Sequence, residues 1–535
     1  MARPRSNART VKETEIKLVT DSDSLAELKR NPNLRGRETS QSLVTTYFDT
    51  RDRRLAKAGV RLRLRTGHGR IEQTIKTHAR DGPSFAVQLE KTCLLDRPKL
   101  DIKAFPKSNR ESLETLAGGA DLKKIASTKV ERLRRTLECN GARIELAFDF
   151  GTIEAAGYSR NISELELELK RGNLATLLQF IRDLPPGFKL AWSSSSKCAR
   201  AFDLADGLEM AASKAVPVSL KSDMPVRTAF QVIAWNCLGH LINNYLVVIE
   251  QRDAEAVHQC RVALRRLRAA ASIFDRVIDE RPGATLPAQW KAVAASLGQA
   301  RIIDVVLDII RSGATKEAGD ASLVLSLLKR VRDQRYDEMG ALLGSRSFQD
   351  MLLCTGIWIE TNGLASSAAK EKEGTLSKFA AGSVRTLRSR VEKDCRRVSK
   401  LGNRQRHRLR IRLKSYRYGT EFFSSLFQTP RSKGHLETLL DAQEKLQDRL
   451  GELNDLSVFG RCKHIDLSPL NAIDQAIVRT YLKRMNRSQR SSVDNLRAST
   501  GRAGRKLARL EQFKWHVSDE HWPSPFRCCS GANRS

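Results

Sequence analysis

The sequence predicts an α+β protein, with strands filling the chain up to about Lys170 and helices filling the rest to about Leu510. Three observations predict it. Between Val11 and Lys170, polar and apolar residues alternate with period two in one run after another, as on strands whose two faces differ. Beyond Thr228, apolar residues return every three or four positions, as on one side of a helix. In that second part, one pattern of a His and three cations occurs twice, which points to a duplicated helical unit.

Taken in order, Glu13-Thr14-Glu15-Ile16-Lys17 is the first alternating run. A short helix is expected over Asp23 to Lys29, capped by Asp23 or Ser24, because a short side-chain oxygen there satisfies a free backbone N–H. Val60 to Arg65, Gln73 to Lys76, Arg143 to Phe148 and Glu164 to Lys170 alternate again. A helix is expected over Asn173 to Asp183. Gly207 to Val226 holds Gly, Ser, Lys and two Pro, a linker composition. Helices are then expected over Thr228 to Ile249, Ala254 to Ile278, Leu286 to Arg311, Leu323 to Leu342 and further on to Leu510. Phe526 to Ser535 is expected to be disordered.

Three strands carry charge on one face. Glu13, Glu15 and Lys17 share a face, as do Arg61, Arg63 and Arg65, and as do Glu164, Glu166 and Glu168, with Leu165, Leu167 and Leu169 opposite. Three solvated outer faces would account for each strand singly. A closed barrel with a polar lumen and an apolar outside accounts for all three, and its acidic and basic residues could hold a divalent metal and phosphate.

The chain has 535 residues, 40% of them hydrophobic, enough for two or three domains. Its formal net charge is +33. The residues up to Met210 hold 39 Lys and Arg against 28 Asp and Glu, so the remainder carries two thirds of the excess. Such a charge implies a polyanionic partner. The 10 cysteines include no CxxC pair, so neither a disulfide framework nor a zinc site is expected, and reduced thiols in the cytoplasm are the reading. Met1 to Thr10 is basic and lacks an apolar core, and no run approaches the length of a membrane span, so neither a secretory signal nor a membrane helix is expected.

The duplicated pattern is His258, Arg261, Val262, Arg265, Arg268 and again His407, Arg410, Ile411, Lys414, Arg417, at identical offsets. Steps of three and four stack on one helix face, so each copy lays its cations along a stripe roughly 15 Å long. Such a stripe is costly unless a polyanion lies along it. Leu297, Gly298, Arg301 and Asp304 follow the first copy, and Leu450, Gly451, Asn454 and Asp455 follow the second. On these residues the C-terminal part resembles the CHAD family. His258 to Arg268 is similar to its HxxRVxxRRLR signature, and His407, Leu409, Arg410, Lys414, Arg417 and Tyr418 to its HxLRxxxKxLRY signature. One departure is Ile302, where the family has Asp after the Leu-Gly-x-x-Arg run; Asp304 keeps its family position. The resemblance implies two pseudo-repeated four-helix bundles that bind long-chain polyphosphate in a basic cavity through both stripes. As phosphate ligands, His258 and His407 would bind more strongly below about pH 6.5. Asp304 and Asp455 are expected to orient the stripe cations, and Tyr418 to pack.

The N-terminal part carries Glu13-x-Glu15-x-Lys17, Tyr47-Phe48-Asp49-Thr50, Leu62-Arg63-Leu64-Arg65, Thr74-Ile75-Lys76, Arg132, Asp149, Glu164-x-Glu166-x-Glu168 and Ser196-Lys197. In this order they resemble the CYTH family, the triphosphate tunnel metalloenzymes. The resemblance decides for an antiparallel β-barrel tunnel. It implies Mg²⁺ or Mn²⁺ on Glu13, Glu15, Glu166 and Glu168, a triphosphate clamp of Arg63, Arg65, Lys76, Arg132 and Lys197, and Lys17 beside the attacking water, with Glu13 and Glu15 in the catalytic set. Ala86 and Gln88 stand where the family has Arg and Glu, and Glu90 is placed to compensate. Expected boundaries are 10–206 for the barrel, 207–226 for the linker, 227–515 for the helices and 516–535 for a disordered tail.

An inorganic triphosphatase with a polyphosphate-binding helical domain is the leading expectation. The alternative is a polyphosphate holder with a degenerate tunnel, anchored to polyphosphate granules. Nucleic acid as main partner is disfavoured: aromatic residues are 6% and no base-stacking motif is visible. No GxxxxGK[ST] loop is present.

Overall fold

In the computed structural model, the described residues are 9–78, 87–278, 285–311, 321–363, 375–427, 430–460, 465–488 and 490–510. The N-terminal part runs β1 (Arg9–Val19), α1 (Ser22–Arg30), β2 (Arg37–Asp49), α2 (Arg54–Lys57), β3 (Val60–Gly67), β4 (Arg70–His78), β5 (Val87–Leu95), α3 (Lys107–Ala117), β6 (Lys123–Cys139), β7 (Ala142–Ala155), β8 (Tyr158–Arg171), α4 (Leu174–Arg182), β9 (Ala191–Ser193) and α5 (Lys197–Ala205). The helical part runs α6 (Val226–Gln251), α7 (Ala254–Ile273), α8 (Thr285–Arg311), α9 (Ala321–Gly344), α10 (Arg346–Gly363), α11 (Leu376–Arg396), α12 (Asn403–Phe422), α13 (Pro430–Gly460), α14 (Ala472–Ser488) and α15 (Arg490–Leu510).

The strands lie in the order β5-β4-β3-β2-β6-β7-β8-β1-β9, and an antiparallel pairing of β5 with β1 closes eight of them into a barrel. The barrel is inverted relative to an ordinary one. Ile16, Leu18, Phe148, Leu165 and Leu167 face outward and are buried, because α1 and α4 cover them with Leu25, Leu28, Leu177, Leu178 and Ile181. On another side Leu62 and Ile75 pack with Leu55 of α2 and Leu113 of α3. The charged residues at alternate positions must therefore point inward.

One mouth is closed by α5. The inward-facing Tyr47, Ala126, Val130, Ile153, Ala155 and Ile162 are apolar and form one cluster with Cys198, Ala201 and Phe202 of that helix. Asp49, fully buried, accepts backbone N–H bonds from Leu55 and Ala56 at 3.0 and 2.9 Å and so shapes the turn into α2. The cap of α1 is Asp21, which accepts from the Ser24 N–H at 2.8 Å, in place of the expected Asp23 or Ser24. Helix α7 stops at Ile273, short of the expected Ile278, where the buried Phe274 caps it and the chain turns.

By contacts the chain forms two compact units, one of Met1–Val216, Phe230–Ser367 and Cys462–Leu482, the other of Pro217–Ala229, Ala368–Arg461 and Lys483–Ser535. This division differs from a cut at 207–226, because the barrel shares its unit with the helices over 230–363. In that unit Phe230, Phe274, Trp290 and Trp358 meet in tilted and edge-on pairs at ring distances of 5.2 to 5.7 Å. In the other unit, α11, α12, α13 and α15 pack in a ring, each against two others. Among the described residues α6 is long and apolar enough to cross a membrane, although no such helix is expected from the sequence; 78% of its apolar window is buried inside protein, as in a core helix. Ala86 and residues 516–535 lie outside the described residues.

Candidate functional site

The barrel register assembles the site. Glu15 lies opposite Glu168 and Lys17 opposite Glu166, Glu13 opposite Gln88, Lys76 opposite Glu90 and Arg61 opposite Lys76, and Arg132 opposite Asp149. Cross-strand partners share a face. The lumen thus receives Glu13, Glu15, Lys17, Arg61, Arg63, Arg65, Lys76, Arg132, Glu166 and Glu168, and Lys197 enters it from the first turn of α5. The open choice for Arg61 is resolved: it shares the lumen face.

Two poles result. At the first, Asp149, Glu164 and Glu166 bring carboxylate oxygens within 4.8 Å of one another, close enough to hold a metal ion. The Lys197 ammonium lies among them, 2.6 Å from Asp149 and 2.8 Å from Glu166, and paired with Glu164. Arg132 bonds Asp149 through Nε at 2.6 Å and reaches Glu166 at 2.5 Å, and Arg200 pairs with Glu164. Burial alone would raise the Glu166 pKa; Lys197 and Arg132 overcome it and hold the carboxyl well below its ordinary value. Lys197 is correspondingly raised against its burial by Asp149, Glu164 and Glu166. Of the four expected metal ligands, only Glu166 belongs to this cluster.

At the second pole charge is less balanced. Burial and the neighbouring Arg63 pull the Lys76 ammonium down to about 8, although it bonds Glu13 at 2.8 Å and meets Glu90. Burial, Arg63 and Arg132 pull Arg65 down as well. Burial is the larger cause of both shifts, and the neighbouring guanidiniums add positive potential that an anion would offset. Across the lumen, burial and the charge of Glu13 push the Glu168 carboxyl up, which marks surplus negative potential. Lys17 pairs with Glu15 and lies 3.9 Å from Glu166, and these carboxylates raise its pKa against the opposing effect of burial. The donor set fits Mg²⁺ or Mn²⁺: every candidate ligand offers oxygen, and the repulsion felt at Glu168 is what a cation relieves.

The sequence placed Asp149 and Glu164 in the motif order without a role for either and offered Glu90 as compensation near Gln88; Arg200 was not singled out. Glu90 is a full lumen partner, 3.5 Å from Arg63. Arg200 follows Lys197 by one helical turn, a spacing that could have signalled it. Gln88 is buried beside Glu13, a neutral amide where a carboxylate was expected.

The basic stripes are placed on α7 and α12, one in each unit. In the first, the Arg261 guanidinium donates to the Ala294 carbonyl of α8 at 2.6 Å, and Gly298 leaves room for it. His258 and Arg265 are half-buried and Arg268 is exposed, and His407 of the second stripe is exposed too. In the second, Gly451 lies beneath Arg410, Lys414 is buried, and Arg417 bonds Glu421 at 2.7 Å. Asp304 accepts from Arg332 and from the Tyr336 hydroxyl, both at 2.8 Å, so it orients α9 and not the stripe cations. Tyr418 is buried, as packing requires. The side chains of Asn454 and Asp455 lie outside the described residues.

An inorganic triphosphatase of Haemophilus influenzae is 32% identical over 168 residues, 30% of this chain and 45% of that protein's own length. The crystal structure of the CHAD domain from the plant Ricinus communis superposes with a TM-score of 0.46 at 28% identity, covering 55% of this chain and 97% of that one. PptA from Streptomyces chartreusis gives a TM-score of 0.36 at 14% identity, covering 53% of this chain and 100% of that one. The CYTH domain model matches residues 11–202 and the CHAD domain model residues 232–464. With a charged closed barrel in the first span and helices in the second, the chain carries a CYTH domain followed by a CHAD domain.

Proposed function

We propose that the barrel hydrolyses inorganic triphosphate to phosphate and diphosphate with Mg²⁺ or Mn²⁺, and that the helical part binds long-chain polyphosphate. The observation that carries the reading is the two-signed lumen, where burial and neighbouring cations depress Lys76 and Arg65 while burial and the charge of Glu13 raise Glu168. A metal–triphosphate chelate relieves both excesses at once. The triphosphatase relative supports the same substrate.

Arg63, Arg65, Lys76 and Arg132 would grip phosphate oxygens, the arginines with two N–H groups each. Glu13, Glu15 and Glu168, with Glu166 shared between Arg132 and Lys197, would hold the metal, which supplies neutralisation of charge on the phosphoryl group. Kept charged by Glu15 and Glu166, Lys17 is suited to orient the attacking water by hydrogen bonds. The water oxygen bonds to the terminal phosphorus and passes one proton to a phosphoryl oxygen, the P–O bond to the bridging oxygen breaks, and diphosphate leaves with the electron pair of that bond. Closure by α5 keeps bulk water from that mouth.

The deciding experiment is phosphate release from tripolyphosphate with each metal. Release that disappears in Glu13→Gln/Glu15→Gln supports the proposal; folded protein that releases none overturns it. Gln88 beside Glu13 favours a second reading, a lumen that holds polyphosphate without cutting it. Tight binding without release would be its signature. Cytoplasmic placement, with docking on polyphosphate granules, is part of the proposal, and its check is localisation of a tagged chain.

A further inference from the structure

We propose that Tyr245 and Gln349, in the helical region, are positioning residues for the barrel's active site and act through strand β9. The proposal rests on the reading of the lumen as a triphosphate-hydrolysing site.

Strand β1 changes partners along its length. Over Arg9–Thr14 its edge is covered by β5, and over Lys17–Val19 by β9, with Lys17 opposite Ser193 and Leu18 opposite Trp192. Without β9 the edge of β1 would be open at Lys17, the residue placed beside the attacking water. A strand of three residues does not hold itself in place. Its anchor comes from the helices of the same compact unit. The Tyr245 hydroxyl of α6 donates to the Trp192 carbonyl at 2.7 Å. The Trp192 N–H donates to Gln349 Oε1 of α10 at 3.1 Å, and the Gln349 amide reaches the Tyr245 oxygen at 3.4 Å. All three residues are buried. The ring of Trp192 meets that of Trp235 of α6 edge-on at 6.4 Å, and Ser194 bonds Asn243 of α6.

Both backbone groups of Trp192 are therefore satisfied from the helices on one side, while its neighbours pair with β1 on the other. Three residues past Ser194 the chain enters α5 at Lys197, the ammonium among Asp149, Glu164 and Glu166. One clamped strand thus sets two lumen cations, Lys17 and Lys197. Arg63 and Arg65 sit on β3 and Lys76 on β4, and neither strand pairs with β9. Loosening the clamp should disturb water orientation and leave much of the phosphate grip.

The test uses full-length Tyr245→Phe and Gln349→Met, with tripolyphosphate and Mn²⁺ and with amide hydrogen exchange read peptide by peptide. The expected result is a kcat lower by on the order of tenfold with KM changed by less than about twofold, and faster exchange confined to Lys17–Val19 and Ala191–Ser193. Folded variants with wild-type kcat, or with KM raised and kcat unchanged, overturn the proposal. Should Tyr245→Phe fail to fold, Gln349→Met decides on the same criteria. Should the wild-type protein release no phosphate, the reading of the lumen fails by itself; unchanged exchange at Lys17–Val19 in the variants would then overturn the clamp separately.

Discussion

Lys197 illustrates how a residue's environment sets its work. Matching the sequence to a family placed it in a phosphate clamp, yet its ammonium lies among three carboxylates and acts as their counter-ion. Removing one partner of a buried ionic cluster leaves uncompensated charge. Lys197→Met is therefore expected to cost about 3 kcal/mol or more of stability, measured by urea denaturation at pH 7. His240 offers a second residue-scale test. Burial, with Arg266 nearby, lowers its pKa to about 4. The unfolded chain takes up that proton first, near pH 6.5. Stability from neutral His240 is thus complete above pH 6.5 and is lost as pH falls toward about 4, by up to about 3 kcal/mol. The difference in unfolding free energy between wild type and His240→Gln, followed from pH 7 to pH 4.5, should shrink accordingly.

At the scale of elements, the two helical repeats differ at one glycine each. A Cβ at Gly298 would sit 2.4 Å from the Arg261 guanidinium, whereas one at Gly451 would find its nearest neighbour, Arg410, at 3.9 Å. Alanine replaces glycine in a helix interior with a gain of about 0.5–1 kcal/mol when space allows. Gly451→Ala is expected to show that gain. Gly298→Ala is expected to lose it, because Arg261 must move off the Ala294 carbonyl. Paired denaturation midpoints check both, and equal gains would contradict the geometry.

For the whole molecule, a net charge of +33 concentrated beyond the barrel makes binding to polyanions salt-sensitive. Arg265→Ala/Arg268→Ala is expected to weaken long-chain polyphosphate binding about tenfold and to flatten its dependence on salt. Titrations at several NaCl concentrations would measure both, and an unchanged slope would remove these two cations from the binding face.

Much of this architecture was legible in the chain. Alternation at Glu13-x-Glu15-x-Lys17, Arg61-x-Arg63-x-Arg65 and Glu164-x-Glu166-x-Glu168 sorted each strand into a charged and an apolar face, because the pleat has a period of two whatever surrounds it. The repeated His-and-cation stripe announced a duplicated helix for the same local reason, at a period of 3.6. Period alone could not say which face of a strand is inside, since solvated sheets and polar-lumen barrels alternate alike; likeness of motif was needed. Tertiary structure alone decided the rest. The pairing of β5 with β1, the ammonium of Lys197 among Asp149, Glu164 and Glu166, and the grip of Tyr245 and Gln349 on Trp192 join residues far apart in the chain. Such contacts are chosen by closure of the barrel and by the need to satisfy buried polar groups, and neither constraint leaves a local pattern to read.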